Sequence, residues 1–270
     1  MKFSIHYWMD FCIYVYMIPV YEGDTVRTNM MIRNCLIHSI FIFYFNIYSF
    51  CDDANFPIHE SLIPLASKMG IELLDTCPNK YDYIQLSMYF ECQENLTFCG
   101  PASISTVLNS LHIPRPESSR HQGYKLFDQH NIFSLGDSPP KSIQDIRRNG
   151  MTLDELASHF ECASVQVDCI FATESSENHF RRSLMKSTGS SSMFVVVNYL
   201  RSTIHQKGNG HISPIAAYHA ESDSALLLDV SKYKYPPVWV KVPALYNAMS
   251  TIDGKTSRGY VIVFTPPIKD

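Results

Sequence analysis

Gln93-Glu94-Asn95-Leu96-Thr97-Phe98-Cys99-Gly100-Pro101-Ala102-Ser103 is the stretch on which the fold turns. Directly after it, Ile104, Val107, Leu108 and Leu111 recur at i, i+3, i+4 and i+7, one apolar face of a helix. Pro101 suits the first helical turn, where its missing N–H leaves no bond unmade. Cys99 is therefore placed at a helix N-terminus. The free N–H groups and the dipole there favour negative charge, and so favour thiolate over thiol. Read locally, a buried free cysteine is the simpler alternative, because Cys is among the most buried residue types.

A base for that thiol lies far downstream. Gly208-Asn209-Gly210-His211-Ile212-Ser213-Pro214-Ile215 runs on to Ala220 as one strand, Glu221-Ser222-Asp223-Ser224 reads as a turn, and Ala225–Val230 returns as a second strand. His211 starts the first arm and Asp229 ends the second, so both stand at the end of the ribbon away from the turn. A carboxylate there orients the imidazole and stabilises its charged form, as in a nucleophile–base–orienter triad. Asp229, flanked by Leu228 and Val230, needs a partner if its strand is buried. A turn histidine on a Gly-rich loop is the plain alternative for His211, and His205 and His219 compete by position; His219 is eight residues along, near the turn. The order Cys, His, Asp resembles that of papain-like cysteine peptidases. Gln93, six residues before Cys99, is placed to donate its amide N–H to a developing oxyanion.

Three longer stretches extend the pattern: Gly210-His211-Ile212-Ser213-Pro214, Leu228-Asp229-Val230-Ser231-Lys232-Tyr233-Lys234-Tyr235-Pro236-Pro237-Val238-Trp239-Val240, and Ala248-Met249-Ser250-Thr251-Ile252-Asp253 with Arg258-Gly259. With the run from Gln93 to Asn109, they resemble the phytochelatin synthase family, also called glutathione γ-glutamylcysteinyltransferase, over roughly Leu62 to Phe264. The resemblance implies a triad of Cys99, His211 and Asp229 with Gln93 as oxyanion donor. It implies that Asp253 and Arg258 grip the γ-glutamyl end of glutathione, with Arg201 and Gly210 as further substrate-binding residues. The pairing is chemically apt, since an α-amino group wants a carboxylate and an α-carboxylate wants a guanidinium fork; a hairpin turn with solvated charges is the alternative, as Asp253-Gly254 is a common turn pair. The implied chemistry is acyl transfer through a thioester on Cys99, to water or to a second glutathione. No organic cofactor is implied; heavy-metal ions such as Cd and Zn enter as activators or as thiolate complexes of the substrate. The chain is expected to behave as the short bacterial-type forms, without the cysteine-rich C-terminal region of plant members. A papain-type peptidase on another substrate and a non-catalytic thiol protein that binds soft metals are the competing functions.

Composition bounds these readings. The chain has 270 residues, 46% hydrophobic and 18% charged, enough apolar content for a substantial core. A net charge of −4 without a basic tract argues against a nucleic-acid partner. None of the 8 cysteines forms a Cys-x-x-Cys pair, so no metal site of standard spacing is expected; Cys162 and Cys169 are spaced for a disulfide that sequence cannot decide. Thr25 to Cys51 contains no acidic residue, and Arg27 and Arg33 precede the apolar run Leu36–Phe50. That is a signal-like layout, too short at about 15 residues for an ordinary span. Residues 1–57 are read as an extension carrying this signal or anchor segment (about 31–51), and 58–270 as the catalytic domain. Export or membrane anchoring follows, with a cytoplasmic location as the alternative; membrane contact through 31–51 and a homodimer are the partner expectations beside glutathione.

Along the domain, Ser61–Met69 and Ile71–Leu74 read as short helical pieces, and Tyr83–Phe90 as the lead-in to the nucleophile loop. The nucleophile helix stops at the prolines Pro114 and Pro116. Residues 117–140 read as loop with one short helix, Thr152 as an N-cap, Ser164–Phe171 as a strand, Ser176–Met185 as a helix, and Met193–Asn198 and Gly259–Phe264 as strands. Helices come first and strands last. The expected class is α+β, a papain-like fold with the nucleophile on a helix N-terminus and His and Asp on an antiparallel sheet.

Overall fold

Val195, Val196 and Val197 are consecutive and fully buried, yet Val196 belongs to one apolar cluster and its two neighbours to another. Side chains alternate across a strand, so an unbroken apolar run means a sheet covered on both faces. The computed structural model describes residues 56–265 apart from 112, 137, 138 and 191, all within one unit that begins at Ala54. The signal-like segment 31–51 lies outside the described residues. Among those that are described, no helix is long and apolar enough to cross a membrane.

The described residues build a mixed α/β domain around an antiparallel sheet. Its strands are β1 (Ile63–Pro64), β2 (Gln166–Phe171), β3 (Met193–Leu200), β4 (Gly210–His219), β5 (Ser224–Leu227), β6 (Val238–Lys241) and β9 (Gly259–Phe264), in the spatial order β1-β6-β5-β4-β3-β9-β2. A small separate hairpin pairs β7 (Ile252–Asp253) with β8 (Thr256–Ser257). The expected His/Asp hairpin is β4–β5, with Ile215 opposite Leu227. The expected strands at 164–171, 193–198 and 259–264 are β2, β3 and β9. Strand β6 lies inside the Lys-Tyr-Pro-Pro stretch and was not anticipated.

Seven α-helices are described: α1 (Lys68–Thr76), α2 (Tyr81–Tyr89), α3 (Cys99–Ser110), α4 (Ile143–Asn149), α5 (Leu153–Glu161), α6 (Glu177–Ser187) and α7 (Val242–Met249). Thr152 caps α5 in a reciprocal capping box with Glu155. Two expectations change. The first piece at Ser61–Met69 is in part the edge strand β1, where Pro64 can sit because an edge leaves N–H groups unpaired, and α1 starts only after the Ser67 N-cap. Tyr83–Phe90 falls mostly within α2, whose aromatic and branched residues include the exposed Ile84 alongside the buried Leu86. Cys162 and Cys169 are free thiols.

Helix α3 is buried on every side, not on one face as its apolar spacing implies. Its polar residues are absorbed one by one. The Ser103 hydroxyl donates to the Ile212 carbonyl on β4 at 3.2 Å. Asn109 donates to the Phe127 carbonyl at 2.7 Å and accepts from the Phe127 N–H at 2.9 Å. Thr106 accepts from the Glu91 N–H at 3.3 Å. The loop that supplies Phe127 also carries a 3₁₀ turn at Asn131–Ser134, and its Ile132 is buried in the same apolar cluster as the helix.

Asp82, in the first turn of α2, is fully buried and neither carboxyl oxygen has a hydrogen-bond partner among the described residues. Burial pushes its carboxyl up to about 9, so the native state holds a proton there that the unfolded chain releases. Stability contributed by that protonated form must fall as pH rises. His159 and His211, which burial holds neutral down to about 4, add a slope of the opposite sign that fades toward pH 8 as the unfolded imidazoles lose their protons, and this contribution is common to wild type and variant. Urea unfolding between pH 7 and 8 should show wild type losing up to about 1.4 kcal/mol per pH unit, and Asp82→Asn should flatten that slope. Equal slopes in the two proteins would show Asp82 ionised in the native state.

Candidate active site

The antiparallel order brings four chain ends to one rim of the sheet. β3 ends at Leu200, β4 starts at Gly210, β5 ends two residues before Asp229, and β9 starts just after Arg258. Helix α3 packs on β4 and sets Cys99 at the same rim, and the Ser103–Ile212 bond pins it one turn further on. A cavity of about 460 Å³ opens there, lined by Cys99, His211, Arg201, Gly210, Asp253 and Arg258 among others.

The His211 Nε2–H donates to Asp229 Oδ1 at 2.9 Å, which leaves Nδ1 as the ring nitrogen available to the cavity. Asp229 is completely buried and saturated. Oδ1 also accepts from the Ser231 N–H at 2.8 Å, and the two Arg201 Nη groups donate to Oδ1 and Oδ2 at 2.7 Å each. Burial opposes ionisation of Asp229, but the His211 ring and the Arg201 guanidinium overcome it and hold the carboxyl well below the usual range. Burial lowers His211 to about 4. His219, the positional rival, instead pairs with Thr76 and Ser222, away from Asp229.

Burial also pushes the Cys99 thiol up, against the downward pull of backbone hydrogen bonds at Ile212 and Gly100 and of the Arg201 charge. The sequence expectation is a resting thiolate; burial pulls the thiol the other way. The helix N-terminus acts on Cys99, but desolvation of a buried anion outweighs it. Burial thus favours the neutral thiol and the neutral imidazole.

Gln93 is buried but does not line the cavity. Its Nε2 donates to the Asn95 carbonyl at 2.6 Å and the Tyr233 hydroxyl at 2.9 Å, and its Oε1 accepts from Ser231 Oγ at 2.6 Å. Both amide hydrogens are thus engaged, and the expected free oxyanion donor is not presented. The backbone N–H groups that head α3 are those of Cys99 and Gly100, since Pro101 has none, and they have no carbonyl four residues back within the helix.

Asp253 and Arg258 stand together across the small hairpin. Arg258 Nη2 donates to Asp253 Oδ1 at 3.1 Å, and Asn198 Nδ2 donates to Asp253 Oδ2 at 3.2 Å. Arg258 Nη1 is held by the Ile252 carbonyl at 2.7 Å and Thr251 Oγ1 at 3.1 Å, while its buried Nε has no partner among the described residues. Gly210 abuts this guanidinium: a Cβ on it would come within 2.9 Å of Arg258 Nη2. Arg201 lines the cavity as expected, but its fork is committed to Asp229. Sequence reasoning missed Asn198 and Ser231. Asn198 was detectable as the polar break in the apolar run Met193–Leu200. Lys234 and Arg148 also line the cavity, and neither has an ion-pair partner among the described residues. No three His, Cys, Asp or Glu side chains among the described residues come together as a metal-holding group.

A cysteine, a histidine and a buried carboxylate thus stand at one rim of a mixed α/β domain. A family model described as phytochelatin synthase matches residues 54–260, and the chain belongs to that family. It is 34% identical over 209 residues to a glutathione gamma-glutamylcysteinyltransferase 1 of Lotus japonicus, covering 76% of this chain and 40% of that protein. It is 32% identical to the Arabidopsis thaliana protein of the same name, covering 68% and 37%. It is 26% identical to a glutathione gamma-glutamylcysteinyltransferase of Schizosaccharomyces pombe, covering 67% and 43%. The chain spans about two-fifths of the length of these relatives.

A neutral buried thiol alkylates slowly near neutrality. Iodoacetamide labelling of Cys99, read by peptide mass spectrometry, should keep accelerating through about pH 9 without a plateau below it. A plateau between about pH 6 and 8 would reveal a resting thiolate–imidazolium pair.

Proposed function

We propose that the chain is a papain-like thiol acyltransferase that cleaves the Cys–Gly bond of glutathione. The observation that carries this reading is the shared cavity: the nucleophile and base sit beside a carboxylate–guanidinium pair suited to a zwitterionic amino-acid end. In this reading Asp253 meets the α-amino group of the γ-glutamyl residue. Arg258, through its unpartnered Nε, meets the α-carboxylate. Lys234 and Arg148 are the cations left for the carboxylate at the glycine end. The relatives named above are called glutathione gamma-glutamylcysteinyltransferases, which supports glutathione as the substrate.

Nδ1 of His211 takes the Cys99 proton as the sulfur attacks the Cys–Gly carbonyl carbon. The oxyanion is met by the N–H groups heading α3; Gln93 joins them only by giving up its bonds to Asn95 and Tyr233. Asp229 stabilises the imidazolium, which then protonates the leaving glycine nitrogen. A γ-glutamylcysteinyl thioester and free glycine result. Water, deprotonated by His211, then gives γ-glutamylcysteine, or the amine of a second glutathione gives the dimeric phytochelatin. Because Asp253 and Arg258 serve the donor, hydrolysis is the main outcome at low glutathione, and chain building grows as glutathione competes with water. Cd or Zn ions enter as activators or as thiolate complexes of glutathione.

Cys99→Ser should abolish turnover with the fold intact, since a hydroxyl is a far weaker acid than a thiol. His211→Ala should cost about as much, and Asp229→Asn less, because the amide still orients the ring. Product formation from glutathione, followed by mass spectrometry, checks all three; a Cys99→Ser protein within a few-fold of wild type would remove the nucleophile assignment.

Gly210→Ala tests the donor subsite without touching the triad. The added methyl presses on the Arg258 guanidinium, and KM for glutathione should rise roughly tenfold while kcat stays within about threefold. Arg258→Ala should raise it further. An unchanged KM in both variants would detach Arg258 from substrate.

A further inference from the structure

Arg201 is 2% exposed, and Asp229 beside it is wholly buried. The β3–β4 connection is folded around this one side chain. The Arg201 N–H donates to the Asn209 carbonyl at 3.1 Å and the Gln206 N–H returns to the Arg201 carbonyl at 3.0 Å. Gln206 Oε1 accepts from Arg201 Nη1 at 2.6 Å, and the Tyr235 ring lies 5.3 Å from the guanidinium carbon. Gly208, at φ +127°, passes so close that a Cβ would come within 3.1 Å of Arg201 Cδ. A guanidinium bound this way has no freedom to turn toward a ligand.

We propose that Arg201 is a positioning residue of the reacting site: its bidentate pair with Asp229 holds that carboxylate ionised and aimed at His211 Nε2, and it does not bind substrate. This rests on the reading of Cys99, His211 and Asp229 as the reacting groups. Among the described residues Oδ2 of Asp229 has no other partner, and a buried carboxylate is tolerated only when paired. The charged and titratable groups around His211 are Asp229 and Lys234 from the segment after β5, Arg201 and Tyr199 from β3 and its continuation, and Cys99 from α3. Remove the Arg201 cation, and the unbalanced Asp229 charge is met most directly by a proton on His211 Nδ1. That proton occupies the nitrogen needed to accept from Cys99. With Arg201 present, the buried group carries no net charge either before or after the proton moves from sulfur to imidazole. The cation therefore keeps the base free at rest and adds no bias against charge separation.

The test compares Arg201→Lys, Arg201→Met, and Arg201→Met combined with Asp229→Asn. Nitrogen-15 NMR of the His211 ring reads its protonation at pH 7, thermal unfolding reads the fold, and steady-state kinetics with glutathione read kcat and KM separately. Wild type and Arg201→Lys should show a neutral ring protonated on Nε2, and Arg201→Met a doubly protonated one. In Arg201→Met, kcat should fall by at least about 100-fold with KM within about threefold. The double variant should melt above Arg201→Met and regain the neutral ring, because the stranded carboxylate is gone; if Arg201→Met alone fails to fold, a folded double variant carries the same conclusion. A neutral ring in Arg201→Met, a KM raised tenfold with kcat kept, or a double variant no more stable than the single would each overturn the proposal. Turnover by Cys99→Ala would instead overturn the functional reading, and the NMR and melting results would still judge Arg201.

Discussion

Burial of helix α3 on all sides is the constraint from which the rest of the site follows. A helix with Ser103, Ser105, Thr106, Asn109 and Ser110 along it can be interior only if each polar group finds a partner. Those partners come from distant parts of the chain: Ile212 on β4, Glu91 before the nucleophile loop, and Phe127 in the long loop. The same bonds that satisfy the helix therefore fix the position of Cys99 relative to His211. Burial of that thiol raises its pKa against the pull of the helix N-terminus.

Charge at the rim is arranged in pairs of different depth. Arg201 and Asp229 are buried and mutually saturated, and Asp229 is also bonded to the His211 ring. Arg258 and Asp253 are a looser pair, with a longer contact at 3.1 Å and Asp253 partly open to solvent. A saturated pair is a scaffold, whereas a loose pair can trade its internal contacts for those of a zwitterion. Two arginines and two aspartates of identical chemistry thus take different roles through burial and bond count alone.

The sequence carried the elements whose signals are local. The N-cap at Thr152, the hairpin around Glu221–Ser224 and the apolar runs of β3 and β9 all rest on spacing within a few residues, and they appear where expected. The start of α3 was legible from Pro101 and the apolar period. Its full burial was not, because that depends on a loop that folds over it from 117–140 and has no periodicity of its own. Arg201 was visible as a residue near the site, but its partner was not, since 28 residues and a hairpin separate it from Asp229. Gln93 was placed by its distance from Cys99 along the chain, which says nothing of Ser231 and Tyr233, the two side chains that hold its amide.

Under the proposed function, these features would shift the activation of Cys99 from the resting protein to the moment of binding. A neutral thiol and a neutral imidazole can coexist in a dry pocket at little cost, while a separated ion pair there needs compensation. The donor's carbonyl supplies part of it, because the negative charge moves from sulfur to an oxygen facing the free N–H groups at the head of α3. Asp229, already ionised and fixed by Arg201, stabilises the imidazolium without rearranging. In the proposed reaction, glutathione held at Asp253 and Arg258 would complete these electrostatics, and reactivity at Cys99 would be coupled to occupancy of that subsite.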